Sequence, residues 1–425
     1  MDQPKSTLAK FLQPALAVTL LTFAVMNGNA LRVMHTYYAW GGADFKIYMT
    51  AANMIRDGHA SDLYDLDRQR RSQQELYPLW QVGNDPLPYN HPAAEALLFL
   101  PFTHMESASA YYVFFAVDLL MLFAALHLAR VAMPSWNVGT RLPLMLFALA
   151  FYPVIMCLFL GQDSILLLLL YALSFHVIRR DHLFVGGMIL GLGCFKPHLV
   201  LPFALLFFVS RRRWNAAFGF FTGGAVVFLI SLWLSGLEGL FGFLHLNLET
   251  QRYRTWLFNP HLMADLRGLV QSALAERMEY LWTQSIIMII SIIFLVWCIL
   301  KLNRMAPIVK SHGSEENMKI EFVFCVIANV LLAYHVYQYD LSILLLPLLL
   351  LVEQCAANAK PGHLWVMIGT ALFFLIPLQT AANTYQLYYL FSLDLLMMVV
   401  ILSRWMHNNN EELCQSAFST STRQA

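Results

Sequence analysis

Asp44 lies in the stretch GGADFKIYMTAANMIRDG, residues 41–58, a few positions beyond an apolar run near the N-terminus. A carboxylate so placed sits at a membrane–water boundary, where it can act as a general base toward a hydroxyl. The ordinary alternative is a helix cap: Asp is a favoured N-cap, and Ile47, Ala51, Met54 and Ile55 follow at helical spacing. Lys196, in Lys196-Pro197-His198, falls between two apolar runs. A cation at membrane depth is costly and marks a functional site by default. Its natural counter-ion there is a phosphate, which an ammonium binds as a point charge; the bland alternative is a lysine that snorkels to the head groups. Arg252 and Arg254 offer forked contacts to the same kind of anion, or a solvated loop face. His335-Val336-Tyr337-Gln338-Tyr339-Asp340 places a histidine, two tyrosines and an acid between apolar runs. His335 is thus a second catalytic candidate, with Tyr339 and Asp340 as a binding wall, against the reading of an ordinary polar turn. Gln162 in Gly161-Gln162-Asp163, Tyr89 and His91 in Tyr89-Asn90-His91-Pro92, His198 and Asn259 complete the candidate substrate contacts. Capped turns and a proline-led helix start compete with that reading.

The composition says what kind of element must hold these residues. The chain has 425 residues, is 59% hydrophobic and only 12% charged, with a mean hydropathy of +0.57. Soluble domains carry roughly twice that charged fraction. Many windows run about 18–22 apolar residues, enough to cross a hydrocarbon core of roughly 30 Å. Backbone polar groups in lipid must be satisfied internally, so these runs are helices, and the expected class is an all-α polytopic membrane protein. A net charge of +1 gives no footing for nucleic acid. The six cysteines are scattered without a CxxC pair, so neither a disulfide framework nor a zinc site is expected.

The first span is expected near 14–34 and, lacking a nearby cleavage site, is expected to stay as an anchor. Others fall near 108–131, 142–160, 164–178, 183–195, 199–209, 214–234, 281–300, 320–335, 341–352, 363–378 and 388–403, about twelve in all with a range of roughly 10–13. Every second connecting loop is basic: Arg130 and Arg141, Arg179 and Arg180, Arg211 to Arg213, Lys301 to Lys319, Lys360, then Arg404. That alternation places both termini in the cytoplasm and the loops 35–91 and 236–280 outside. Residues 61–77 are expected as an amphipathic helix lying on the membrane, and Leu262, Leu266, Leu269 and Val270 as a second outer-loop helix. Residues 1–403 form one membrane domain, and 404–425 a polar, disordered cytoplasmic tail. Gly187-xxx-Gly191 and Gly219-xxx-Gly223 read as helix-packing faces. GGMILGLG is no nucleotide fingerprint, since no strand precedes it.

With ADFKIYMTAANMIRDG followed by LYD, then YNHPAAEALLFLP, GQDSILLLLL, FKPHLVLPFALLFFVSRRRW, NPHLMADLRGL and YHVYQYDLSILLLP in this order, the chain resembles the GT-C superfamily of membrane glycosyltransferases. More narrowly it resembles glycosyltransferase family 87, polyprenol-phosphate-mannose-dependent mannosyltransferase-like proteins. The resemblance implies a GT-C-type helix bundle and a sugar donor β-linked to polyprenyl phosphate. It also implies a lipid or glycan acceptor on the outer face of a bacterial inner membrane, and inversion at the sugar. No nucleotide sugar, cofactor or metal is implied. The family's first-loop acid falls on Asp44, its lysine–proline pair on Lys196-Pro197 and its late polar segment on His335–Asp340. On this reading Asp44 is the base, while Lys196, Arg252, Arg254 and His335 meet the leaving phosphate. A polyprenyl-glycan flippase and an O-antigen ligase-like transferase are the alternatives. The concentration of polar residues in outer loops favours an enzyme over a transporter.

Overall fold

The computed structural model describes residues 21–22, 25–26, 28–29, 44–78, 87–133, 141–250, 259–274, 277–304, 314–357 and 361–424, and no strand occurs among them. Most of the expected first span, and both Arg252 and Arg254, lie outside the described residues. The helices used below are α1 (Phe45–Arg56), α2 (Leu66–Leu76), α3 (Ser107–Val131), α4 (Arg141–Ala150), α5 (Tyr152–Leu160), α6 (Ser164–Ile178), α7 (Leu183–Gly191), α8 (Trp214–Thr250), α9 (Leu266–Leu274), α10 (Tyr280–Asn303), α11 (Ser314–Leu332), α12 (Leu345–Ala357), α13 (His363–Leu372), α14 (Ile376–Thr384) and α15 (Phe391–Gln424).

Among the described residues, four helical stretches are long and apolar enough to cross a bilayer alone: Ser107–Val131, Trp214–Leu248, Tyr280–Asn303 and Tyr388–His407. The pair α13 and α14, bent by 64°, makes a fifth if counted as one span. The remaining expected spans are shorter or broken, so about twelve separate crossings is more than these lengths establish. Helix α6 has 15 residues, about 22 Å at 1.5 Å per residue and short of the hydrocarbon thickness. Residues 142–160 divide into α4 and α5, with Pro153 in the first turn of the second piece. Residues 192–209 pass through two 3-10 turns on either side of Lys196 and end in a π-helical turn, Ala204–Val209. Pro197 and Pro202 withhold amide donors there, which prevents one continuous ladder.

The glycine spacing is used as expected. A Cβ at Gly187 or Gly191 would run into the carbonyls of Ala216 or Phe220, and one at Gly219 or Gly223 into those of Phe184 or Met188. The backbones of α7 and α8 therefore meet directly, the small-residue mode of packing in lipid. At one end of the bundle Glu321, fully buried, takes Arg213 Nη1 at 2.7 Å and Arg211 Nε at 3.2 Å, which ties down one of the basic loops.

The two helices expected in outer loops differ from expectation in what they bury. Helix α2 buries Gln69 and Gln73, because those two amides pair with protein backbone: a membrane-lying helix would bury its leucines. Helix α9 starts after Asp265, whose carboxylate accepts from Gly268 N at 2.6 Å and from Val336 N at 2.9 Å. The polar segment expected as a disordered tail continues α15 as helix to Gln424.

Candidate active site

Asp44 begins α1 with helical backbone angles, and its side chain makes no capping bond to that helix. Its Oδ2 instead accepts from Gln162 Nε2 at 2.6 Å. The cap reading of Asp44 therefore does not describe this side chain. Gln162 belongs to the short turn between α5 and α6, and that turn can approach α1 because residue 161 is glycine. Gly161 has φ 63°, and an added Cβ would stand 2.7 Å from the Cβ of Phe45. Phe45 and Tyr48, on the buried face of α1, pack into an aromatic cluster in which Tyr48 stacks on Phe99 at 4.5 Å.

The orientation of Gln162 follows from its neighbours. Lys196 Nζ donates to its Oε1 at 3.1 Å, and Tyr48 Oη donates to the same oxygen at 2.5 Å. An ammonium has no acceptor capacity, so the amide must turn its oxygen toward Lys196 and its NH2 toward Asp44. Lys196 is 2% exposed and also meets Asp163 Oδ1 at 2.9 Å, Asp340 Oδ1 at 3.1 Å and Ser164 Oγ at 2.7 Å. Its three donors are thus engaged by protein groups, an arrangement unlike the open phosphate partner expected from the sequence. Asp340 accepts from Ser164 Oγ at 2.9 Å and from Tyr337 N at 3.2 Å as well. Burial pushes its pKa up, but Lys196 and the nearby histidines hold it below the usual carboxylate range.

A second pair of carboxyls lies behind this group. Glu95, on the single helical turn Ala93–Ala96, has a fully buried side chain with His91 Nδ1 at 3.1 Å from its Oε1. Glu95 and Asp163 interact directly, and burial raises both. Burial also raises Asp44, against the opposing pull of the Gln162 hydrogen bond and of Lys196. It lowers His91 and His198 to about 4 and His335 to about 3, so these imidazoles are neutral at pH 7.

Asp44, Gln162, Lys196, His91, His198, His335, Tyr339 and Asp340 line one cavity of about 510 Å³. All eight were singled out from sequence as chemistry-bearing positions scattered over almost 300 residues, and the structure makes Gln162 the link to Asp44. His335 and His198 face each other with ring centroids 6.2 Å apart, and His335 stands 4.5 Å from Tyr337. Two expected contacts sit behind the wall. Tyr89 is fully buried and donates to Pro92 O at 2.8 Å. Asn259 uses its side-chain oxygen to cap the turn at His261 N and gives its own amide to Tyr337 Oη at 3.2 Å.

A larger apolar groove of about 750 Å³ adjoins this cavity, walled by Leu201, Pro202, Phe220, Ile287, Ile292 and Leu332 among others. Tyr334 lines both spaces. Arg267, 3% exposed, stacks on the Tyr334 ring at 4.0 Å. Glu95, Asp163, Asp265 and Arg267 were not named from sequence as site residues. Glu95 had a visible signal: a lone acid in an apolar run, four residues after a histidine. Asp265 and Arg267 had none, since their partners come from a segment about 70 residues away.

Helices long and apolar enough to cross a bilayer, with a polar cavity and an apolar groove that share Tyr334, suit a membrane protein that handles an amphipathic ligand. Residues 89–311, just over half of the chain, match the profile of Glycosyltransferase family 87, and the protein belongs to that family. It is a membrane glycosyltransferase. The matched region contains His91, Glu95, Gln162, Asp163, Lys196 and His198, and leaves Asp44 and the 335–340 segment outside. No curated protein and no solved structure matches the chain.

Proposed function

We propose that the protein transfers a sugar, with inversion, from a polyprenyl-phosphate donor to a hydroxyl of a lipid or glycan acceptor on the outer face of a bacterial inner membrane, with Asp44 as general base. The observation that carries this reading is the join of the two spaces at Tyr334. From His198 to Leu201, and from His335 back to Leu332, the wall changes from imidazole to hydrocarbon within three residues. A substrate with a charged head on an isoprenoid chain needs such a boundary. The chain lies in the groove, and the phosphate stops at His198 and His335. His198 Nε2 has no hydrogen-bond partner among the described residues, so it is available to donate to a phosphate oxygen.

Asp44 then removes the acceptor proton as the oxygen attacks the anomeric carbon, and the polyprenyl phosphate leaves as an anion. A carboxylate raised by burial and aimed by one hydrogen bond is suited to that step. Lys196 acts on the base through Gln162, with its charge balanced by Asp163 and Asp340, while Arg252 and Arg254 remain candidate phosphate contacts from the second outer loop. No cofactor or metal takes part in this scheme.

The test is purified enzyme in lipid, offered a panel of polyprenyl-phosphate sugars with a hydroxyl acceptor and followed by mass spectrometry. Glycosylated acceptor and free polyprenyl phosphate should appear in equal amounts. Movement of intact donor across the bilayer without cleavage would make the protein a transporter, and turnover only of diphosphate-linked glycans would make it a ligase.

A further inference from the structure

We propose that the last turns of α8, Leu237–Leu248, lie in the head-group layer of the membrane, with one face in lipid and the other forming a wall of the Asp44 cavity. Helix α8 has 37 residues, Trp214–Thr250, about 55 Å at 1.5 Å per residue. That exceeds a bilayer of about 40–45 Å with its head groups included, so the whole helix is too long for one straight crossing. The tryptophans mark where the crossing ends. Trp214 and Trp233 are 61% and 80% exposed, and about 28 Å of helix axis lies between them. A hydrocarbon core is roughly 30 Å thick, and tryptophan favours both of its boundaries. Gly236 follows Trp233 within one turn and breaks the helix with φ 66°. An added Cβ there would meet nothing within 4 Å, so this glycine serves the backbone angle and not packing.

Beyond the break the two faces of the helix differ. Leu237, Phe241, Leu244 and Leu248 recur at helical spacing and are 50–66% exposed. In the chain this row directly follows Phe228, Leu229 and Trp233, the exposed apolar surface of the crossing part. The opposite face is fastened to protein. Leu246 is 3% exposed within the cluster that holds Phe45, Tyr48 and Phe99. Phe243 meets the Tyr64 ring edge-on at 5.4 Å, and Asn247 Nδ2 donates to the carbonyl of Asn90, the neighbour of His91, at 3.3 Å. Phe243 and Asn247 also line the Asp44 cavity. An apolar row on a helix held along its other side is the pattern of a helix lying in a membrane surface. Water would leave four large side chains exposed in a line, whereas the boundary of head groups and acyl chains takes such a face about 5–10 Å deep. One helix then separates lipid from the cavity, and the cavity lies at a depth that the head of a bilayer-anchored substrate can reach.

The experiment measures depth on the full chain in phosphatidylcholine nanodiscs. Phe241→Cys and Leu244→Cys, both at exposed positions, are labelled in detergent with a polarity-sensitive fluorophore and then reconstituted. Gln74→Cys on the exposed side of α2 is the reference for water, and Val226→Cys in the crossing part of α8 the reference for deep lipid. Wild type treated identically gives the background from native cysteines. Each label is quenched by iodide in the water, by a lipid nitroxide near the head group and by one near the chain end. Labels at Phe241 and Leu244 should be quenched several-fold more by the shallow nitroxide than by either other quencher. Iodide quenching as strong as at Gln74 places the row in water and overturns the proposal. Quenching by the deep nitroxide as strong as at Val226 overturns it too, since the helix would then continue the crossing. Shielding from all three quenchers means that another stretch of chain or a second copy covers the row, and the membrane is not its partner.

Discussion

Asp44→Asn separates chemistry from architecture at this site. The substitution keeps the size of the side chain, and the Asn carbonyl can still accept the Gln162 Nε2 bond that Asp44 accepts at 2.6 Å. No helix cap is lost, because Asp44 makes none. What disappears is the ability to take a proton. General-base catalysis contributes about 10²–10⁴-fold, or roughly 2.7–5.5 kcal/mol of barrier at 1.36 kcal/mol per decade. The release rate of polyprenyl phosphate should fall by that factor. Stability should move the other way. Burial holds the Asp44 carboxyl above its ordinary pKa, so its ionisation opposes folding at pH above that ordinary value, and fully so above the folded-state pKa. The neutral amide removes that opposition, so the thermal midpoint at pH 7 should stay level or rise. The assay is initial-rate transfer in nanodiscs together with thermal unfolding of the same preparations. A variant that keeps more than about a tenth of the wild-type rate removes Asp44 from the mechanism. A variant that loses activity and stability together would show a structural role instead.

The acid limb of the wild-type pH–rate profile should lie above the ordinary carboxylate range, as the raised Asp44 requires, and should vanish in Asp44→Asn; a limb near pH 4 in wild type contradicts the burial argument. Lys196→Met strands Asp163 and Asp340 and should cost about 3–5 kcal/mol of stability. Adding Asp163→Asn should recover part of that loss, as read by chemical unfolding, and no recovery would mean the lysine is not balancing Asp163. Gly219→Ala drives a methyl into the Phe184 carbonyl and should lower the thermal midpoint, whereas Gly58→Ala, which has open space around it, should act only through its backbone angle and cost less. Cysteine placed at Ser72 should react with an impermeant reagent in intact cells while cysteine at Ser314 is protected; the reverse pattern inverts the assigned orientation.

The membrane class and the polar positions were legible because both are local signals. Apolar runs mark helices, and a charge between two of them is conspicuous. Asp44, Lys196, His335 and Asp340 stood out for that reason and do line one cavity. Their connections were not legible. Lys196 reads alone as a cation awaiting a phosphate, because the acids that engage it, Asp163 and Asp340, come from turns 33 residues before it and 144 after it. Asp44 reads alone as a cap, because the glutamine that claims it comes from 118 residues away. The same limit applies to span counting. Hydropathy registers where apolar residues are, not where prolines divide them into a 3-10 turn and a π turn, as they do between residues 192 and 209.

Gln69 and Gln73 hold the chain that carries His91 in an unusual manner. Gln69 exchanges hydrogen bonds with both the amide and the carbonyl of Tyr89, at 2.7 and 3.3 Å, and Gln73 does the same with Leu87, at 3.3 and 2.7 Å. The two glutamines are four residues apart on α2 and their targets two apart on the irregular segment that leads to His91. Those intervals measure about 6.0 Å along a helix and about 6.6–6.8 Å along a strand. Helix and facing segment thus mesh like two gear racks of nearly equal pitch. A slip by one residue faces side chains where amides were and breaks all four bonds together, and only a jump of two restores them. The place of His91 along the cavity wall is therefore quantised in steps of two residues of chain, so this histidine does not drift gradually: it is in register or it is displaced.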